Sequence, residues 1–310
     1  MKKSKIINLT NAISSLREII YQSVDLKNSV FQKKEDGSWN RLYAALDALE
    51  DSQVAIDNYR KLEKVQYLEL YGLMQAFVVQ QDAISHVRAT TLGEKIKWNS
   101  EGKLNEIRRL RNRTAGHPAE IKENKVTYYS NIDRSSIAKE SFRYILWGKS
   151  GATFHDVNLE DILETQYKEI LRLVNDTIDE IKESEKSFID QFRGKRVRVT
   201  YDQVIDYHFQ KVYGFSDVVF AQSMLDSFSK IYHDVKSELE ARYGSFDTTI
   251  NASGLRETLS DIDELLSRAE LSLKDGISDS FGHRVYVDAL ERSWKELGGM
   301  VDETDRRFAE

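Results

Sequence analysis

The residues best suited to chemistry lie in one short segment, 108–117, which reads Arg-Arg-Leu-Arg-Asn-Arg-Thr-Ala-Gly-His. A guanidinium is always charged and can hold a phosphate through two parallel hydrogen bonds. An imidazole can take up and return a proton near neutral pH. Arg111 and His117, close together beside a turn, therefore indicate chemistry on a phosphodiester.

A basic cluster surrounds this pair. Arg108 and Arg111 lie three residues apart, and Arg109 and Arg113 lie four apart, so two basic stripes flank the apolar stripe of one helix. We interpret Arg108, Arg109 and Arg113 as contacts to RNA phosphates. The alternative is structural: arginines at a helix end commonly interact with the helix dipole in solvent, and a histidine beside Gly-Pro often only caps a turn.

Arg111-Asn112 followed after four residues by His117, at the end of a helix, resembles the signature of HEPN domains. The segments 67–77 and 80–84 resemble the central helix of larger HEPN-like bacterial proteins. The resemblance covers residues 1–190. It implies an antiparallel helical bundle, often dimeric, in which two copies of the motif face each other.

Active members of that family resemble metal-independent ribonucleases, in which a 2′-hydroxyl attacks the adjacent phosphate and leaves a cyclic phosphate end. By this resemblance Arg111 would hold the scissile phosphate, His117 would be the general acid or base, and Asn112 would orient one of them. Asp82, on the preceding helix, is a possible auxiliary residue. No cofactor and no metal ion are implied.

Spacing of apolar residues predicts the elements that position this site. Asn158 is expected to cap a long helix, and Ser38 to cap another. Residues 125–129, 141–147 and 152–157 are β-branched or aromatic and predict strands, the last two joined as a hairpin through 148–151. Helices are expected at 10–30, from 38 through 56, 62–87, 104–110, 159–181, 218–242, 255–273 and 285–308.

The predicted fold is mainly α. An antiparallel, HEPN-like helical bundle at residues 1–192 carries a small β-hairpin or sheet insertion at about 124–157, and a smaller all-α domain follows at 193–310. Only one of the 310 residues is proline, which leaves long helices possible almost everywhere. The glycine in the charged run 193–198 marks the boundary between the two domains.

Composition narrows the classes of function. The chain has no cysteine, so disulfides, thiolate nucleophiles and thiolate zinc sites are excluded. The six histidines show no helical pairing typical of a zinc site. No apolar run is long enough for a membrane span or a signal peptide, so we expect a cytoplasmic protein without membrane contact. A net charge of −6 argues against a protein that coats DNA or RNA non-specifically, but it allows a local basic patch that binds nucleic acid.

Two hypotheses follow. The first is an RNA-cleaving enzyme of a toxin or defence system that acts through Arg111 and His117, with RNA as its substrate and a homodimer as its form. The second is a non-catalytic module for protein–protein interaction or dimerisation, in which the carboxyl-terminal helices bind another protein.

Overall fold

The computed structural model describes residues 8–32, 37–116, 121–123, 126–149, 151–204, 206–213, 217–246, 253–277 and 279–308. These residues form a mainly α protein with a small antiparallel sheet, which confirms the predicted fold class. The helices are α1 Leu9–Gln22, α2 Val24–Gln32, α3 Ser38–Lys61, α4 Tyr67–Thr91, α5 Gly102–Arg111, α6 Leu159–Asp190, α7 Val197–Tyr201, α8 Asp206–Val212, α9 Val218–Tyr243, α10 Ser253–Lys274 and α11 Ser280–Phe308.

The chain divides into two compact units. The first comprises Met1–Gln22 and Glu35–Glu183, and the second comprises Ser23–Lys34 and Ser184–Glu310. The boundary between folding domains that the sequence predicts at 192/193 remains a prediction. The units divide a few residues earlier, and α2 packs with the carboxyl-terminal half of the chain.

In the first unit, α4 is the central helix, as its apolar residues on more than one face predicted. Leu70, Met74, Phe77 and Ile84 on this helix are fully buried. Helix α4 packs along α3 and contacts α5. Because α4 is surrounded, the polar residues on it must find partners inside the protein.

The sheet lies between α5 and α6 in the sequence. Its strands are β1 Ile121–Glu123, β2 Val126–Asp133, β3 Ser141–Gly148 and β4 Gly151–Asn158, in the order β1-β2-β3-β4 with every pair antiparallel. One face carries Ile132, Phe142, Tyr144 and Val157, which are buried. The predicted β insertion and its hairpin are therefore confirmed, with one additional short strand ahead of them.

Two helix starts behave differently from the sequence prediction. The predicted helix at 10–30 is two helices, because Ser23 Oγ accepts from the backbone N–H of Leu26 (3.1 Å) and begins α2. Glu185 completes this start by accepting from the backbone N–H groups of Val24 and Asp25 (3.1 and 3.0 Å). The helix expected from residue 62 begins at Tyr67, where Gln66 and Glu69 form a capping box.

Two predicted caps have different outcomes. Asn158 caps α6 as expected, since its Oδ1 accepts from the backbone N–H groups of Glu160 and Asp161 (2.9 and 3.3 Å). Ser38 is not the cap of α3 but its first residue. Gly37 precedes it with a φ of 97°, a conformation that glycine adopts without strain.

The second unit has its own apolar core, formed by α7 to α11. Tyr201 and Trp294 stack with ring centroids 4.3 Å apart, and the Tyr201 hydroxyl donates to the Trp294 carbonyl oxygen (2.9 Å). Phe228 packs against Trp294 edge to face. The three predicted carboxyl-terminal helices are confirmed as α9, α10 and α11, with ends within a few residues of the predicted ones.

Candidate functional site

The candidate site is built where α5 ends. Leu104 and Ile107 are buried and fix the orientation of this helix. After Arg111 the helix widens into one π turn, Asn112–Gly116, in which the buried Thr114 donates its hydroxyl proton to the Leu110 carbonyl oxygen (2.8 Å). Single π turns are rare and are often found at functional sites. This turn brings Gly116 back against the side chain of Arg111.

Two neutral acceptors hold the guanidinium of Arg111. Its Nη1 donates to Asn112 Oδ1 (3.0 Å), and its Nη2 donates to Gln75 Oε1 on α4 (2.7 Å). Its Nε is shielded from solvent and has no acceptor within the described ranges. Among the residues that the structure describes, no carboxylate lies within ion-pair distance of this guanidinium. Within the described ranges, its positive charge is therefore oriented by amide oxygens and has no carboxylate partner.

Arg108, one turn earlier, has a different environment. Its Nη1 donates to Asp82 Oδ1 (2.8 Å), and its guanidinium lies over the Trp98 ring, 4.9 Å from the centroid. The same Nη1 lies 3.4 Å from Gln81 Oε1. The charge of Arg108 is thus balanced by Asp82, and the carboxylate proposed as an auxiliary residue is engaged by this ion pair.

The other predicted residues are placed as follows. Arg113 Nη1 donates to the hydroxyl oxygen of Tyr144 on β3 (3.4 Å), which joins the π turn to the buried side of the sheet. Arg109 is exposed on α5. Asn112 is exposed, and its Oδ1 accepts from Nη1 of Arg111; its role in orienting a catalytic group remains a prediction. His117 lies outside the described residues, so its assignment remains a prediction.

Three contributors near this site were not predicted. Gln75 lies within the α4 segment that carried the family resemblance, yet nothing in its local sequence distinguishes it from other polar helix residues. Tyr144 and His155 belong to the β insertion, where their rings stack with centroids 4.8 Å apart and planes 14° apart. Strand alternation places Tyr144 on the same face as the buried Phe142, which is the signal that could have indicated an inward position.

A chain of hydrogen-bonded, buried glutamine amides links α3, α4 and α6. Gln81 Nε2 donates to Gln166 Oε1 (2.9 Å), and Gln166 Nε2 donates to Gln80 Oε1 (2.9 Å). Gln80 Nε2 then donates to Gln53 Oε1 (2.8 Å), whose own amide donates to an Asp57 oxygen (3.0 Å). Every amide donates in the same direction along this chain. The alignment fixes the amide orientations and the helices that carry them.

Over the described ranges, no three histidine, aspartate or glutamate side chains are grouped as metal ligands. Within those same ranges, none of the helices combines the length and the apolar character needed to cross a membrane.

No protein-family model, no curated protein and no solved structure matches this chain.

Proposed function

We propose that the chain is a metal-independent endoribonuclease whose phosphate-binding residue is Arg111. In this reaction the 2′-oxygen of a ribose bonds to the adjacent phosphorus while the bond to the 5′-oxygen of the next nucleotide breaks. A base takes the proton from the 2′-hydroxyl, and an acid returns a proton to the departing 5′-oxygen. The products are a 2′,3′-cyclic phosphate end and a free 5′-hydroxyl end.

The observation that carries this proposal is the contrast between Arg111 and Arg108. Arg108 is paired with a carboxylate, whereas Arg111 is oriented by two amide oxygens and, among the residues that the structure describes, has no carboxylate partner. A guanidinium of this kind can stabilise the extra negative charge that develops on phosphate oxygens in the transition state. Asn112 has a direct role in this arrangement because its amide oxygen holds Nη1 of Arg111 in place.

In the proposed mechanism His117 moves the proton, because an imidazole can both accept and donate near neutral pH. A general base or acid typically contributes about 10²–10⁴-fold to a rate. Arg109 and Arg113 would guide the RNA backbone toward Arg111. The setting would be that of a toxin or a defence system.

A second candidate function is that of a non-catalytic interaction or dimerisation module. It is favoured by the open face of the sheet, where Tyr129, Trp147 and Phe154 are 55%, 47% and 63% exposed. Contiguous exposed aromatic side chains are typical of surfaces that bind other macromolecules.

The test is incubation of a mixed cellular RNA pool with the full chain in the presence of a chelator. We expect wild type to produce fragments with cyclic phosphate ends. Both Arg111→Gln and His117→Ala should cleave the RNA at least 100-fold more slowly than wild type. Arg172→Gln is the matched control, because it removes the same charge from the surface ion pairs of α6 with Glu101, Glu169 and Asp176. Absence of cleavage by wild type over a range of pH would favour the interaction module.

A further inference from the structure

The strand β4 forms an open edge of the sheet. All eight of its residues, Gly151–Asn158, are paired with β3, and in the part of the chain that the structure describes no strand pairs with its other side. Gly151, Thr153, Phe154, Asp156 and Asn158 are exposed. An edge of this kind presents a row of backbone N–H and C=O groups that another strand can bind.

This edge lacks the features that usually prevent strands from pairing. The register between β3 and β4 is continuous from Ser141↔Asn158 to Gly148↔Gly151, so no bulge interrupts it. The strand contains no proline and no lysine. Its one acidic side chain, Asp156, is engaged by Arg143 through two contacts (2.7 and 3.1 Å). Natural proteins rarely leave so long an edge unprotected unless it has a partner.

An aromatic surface adjoins the edge. Tyr129 is paired with Trp147, and Ile145 with Phe154, so these four side chains project from the same face. Trp147 Nε1 donates to Asn131 Oδ1 (2.8 Å), which holds the indole in one orientation. Phe154, the most exposed of the four, lies on the edge strand itself, so a strand bound at β4 would cover it.

We propose that β4 binds β4 of a second copy of this chain in an antiparallel pair centred on Phe154. Opposed residues in such a pair must share a face, and this centre places Phe154 against its counterpart and Ala152 against Asp156 of the second copy. No like charges face each other in this register. The pairing would join the two sheets into one and bury both phenylalanines.

Charge favours a second copy as the occupant. Lys149 stands at the hairpin end of β4, and the opposite end runs into the first turn of α6, which carries Glu160 and Asp161. An antiparallel pair of identical strands brings the basic end of each copy toward the acidic end of the other. This self-complementarity is characteristic of a two-fold symmetric interface. The proposal does not depend on RNA cleavage, because Arg111, Asn112 and His117 do not lie on β4; it names the occupant of the aromatic face that favours the second candidate function.

The first experiment is sedimentation velocity of the full chain over a hundredfold range of concentration. We expect wild type to dimerise and Phe154→Lys, which places two cations opposite each other, to weaken dimerisation by at least tenfold. Phe281→Lys is the matched control, since Phe281 is an exposed phenylalanine on α11 (76% exposed) and its replacement should leave the dimer intact. A wild type that stays monomeric, or a Phe154→Lys variant that dimerises like wild type, would overturn the proposal.

The absence of cysteine allows a second experiment that does not depend on weakening the dimer. A Phe154→Cys variant should form a disulfide-linked dimer rapidly under mild oxidation, because directly opposed residues in an antiparallel pair lie within disulfide distance. A Phe281→Cys variant should cross-link much more slowly. Equal rates for the two variants would show that β4 is not at the interface.

Discussion

Gly116 packs directly against the guanidinium of Arg111, so a side chain at position 116 would have to displace it. A β-carbon at position 116 would lie 2.7 Å from Nη1 of Arg111 and 3.2 Å from Oδ1 of Asn112. Carbon atoms do not approach a guanidinium nitrogen this closely. Gly116 therefore belongs to the arrangement that orients Arg111, although it has no side chain with which to bind a ligand.

A Gly116→Ala substitution should therefore displace the guanidinium without disrupting the fold. We expect RNA cleavage to fall by at least tenfold, because the contact between Arg111 and Asn112 must open to admit a methyl group. The thermal unfolding midpoint should change by only a few degrees, since only the end of one side chain is displaced. Initial rates of cleavage and circular dichroism melting would measure the two effects.

The matched control is Gly102→Ala at the start of the same helix. A β-carbon at position 102 would have no neighbour within 4 Å, so this variant should cleave RNA as fast as wild type. If both glycine variants kept full activity, the orientation of Arg111 would not matter for cleavage, and the proposed role of Arg111 would be wrong.

Arg108 is expected to matter for stability more than for activity. An Arg108→Gln substitution removes the ion pair with Asp82 and the contact with the Trp98 ring. For partly exposed groups each of these is worth at most about 1 kcal/mol, so the free energy of unfolding should fall by about 1 kcal/mol. Urea denaturation would measure this change.

The same variant should retain most of the cleavage activity of wild type. A loss of activity as large as that of Arg111→Gln would instead assign Arg108 to phosphate binding, as its position in the sequence first suggested. We therefore expect Arg108 to act in packing and Arg111 in phosphate binding.

The sequence predicted elements whose signals are local. Helices α9, α10 and α11 were placed within a few residues of their observed ends, because each buries one regular apolar stripe. Asn158 was identified as a cap because its partners follow it directly in the chain. The strands β3 and β4 were recognised from their β-branched and aromatic residues and from the glycines of the turn between them.

Features that depend on distant partners were not predictable. The break between α1 and α2 relies on Glu185, which lies more than 150 residues away from Ser23 in the chain. Local sequence cannot show that Asp82 on α4 pairs with Arg108 rather than with Arg111, since these two arginines lie one turn apart on α5. The contact of Gln75 with Arg111 also depends on how α4 and α5 pack. The role of His117 stays a prediction.

The buried amide chain should make a large contribution to the stability of the first unit. Gln166 is 1% exposed and bonds to Gln81, to Gln80 and to the Phe77 carbonyl oxygen (2.9, 2.9 and 3.2 Å). In a Gln166→Met variant of similar shape, the Gln81 amide would lose its acceptor and the Gln80 oxygen its donor. Each unsatisfied buried group costs about 1–3 kcal/mol, so we expect a loss of about 2–4 kcal/mol.

Asn40→Leu provides the control for this prediction, because Asn40 is an exposed amide on α3 and the substitution also preserves shape. Chemical denaturation should show a change within about 0.5 kcal/mol for this variant. Similar losses for Gln166→Met and Asn40→Leu would mean that the aligned amide chain is not what stabilises the helices.

Tyr59 should make the stability of the protein depend on pH in the alkaline range. Burial, assisted by the negative charge of Glu69, raises the pKa of Tyr59 to about 12. The Tyr59 hydroxyl is buried and donates to the Lys139 carbonyl oxygen (3.2 Å), which also favours the protonated form. Because the pKa is raised in the folded state, the contribution of Tyr59 is complete below pH 10 and is lost as the pH rises toward 12.

We therefore expect the stability of wild type relative to Tyr59→Phe to be constant below about pH 10 and to fall by about 2 kcal/mol between pH 10 and pH 12. Denaturant titrations at a series of pH values would measure it. Tyr129→Phe, which removes an exposed hydroxyl from the sheet, should follow the wild-type profile throughout. A difference between wild type and Tyr59→Phe that did not change with pH would show that the Tyr59 hydroxyl acts only as a hydrogen-bond donor, with no ionisation linked to folding.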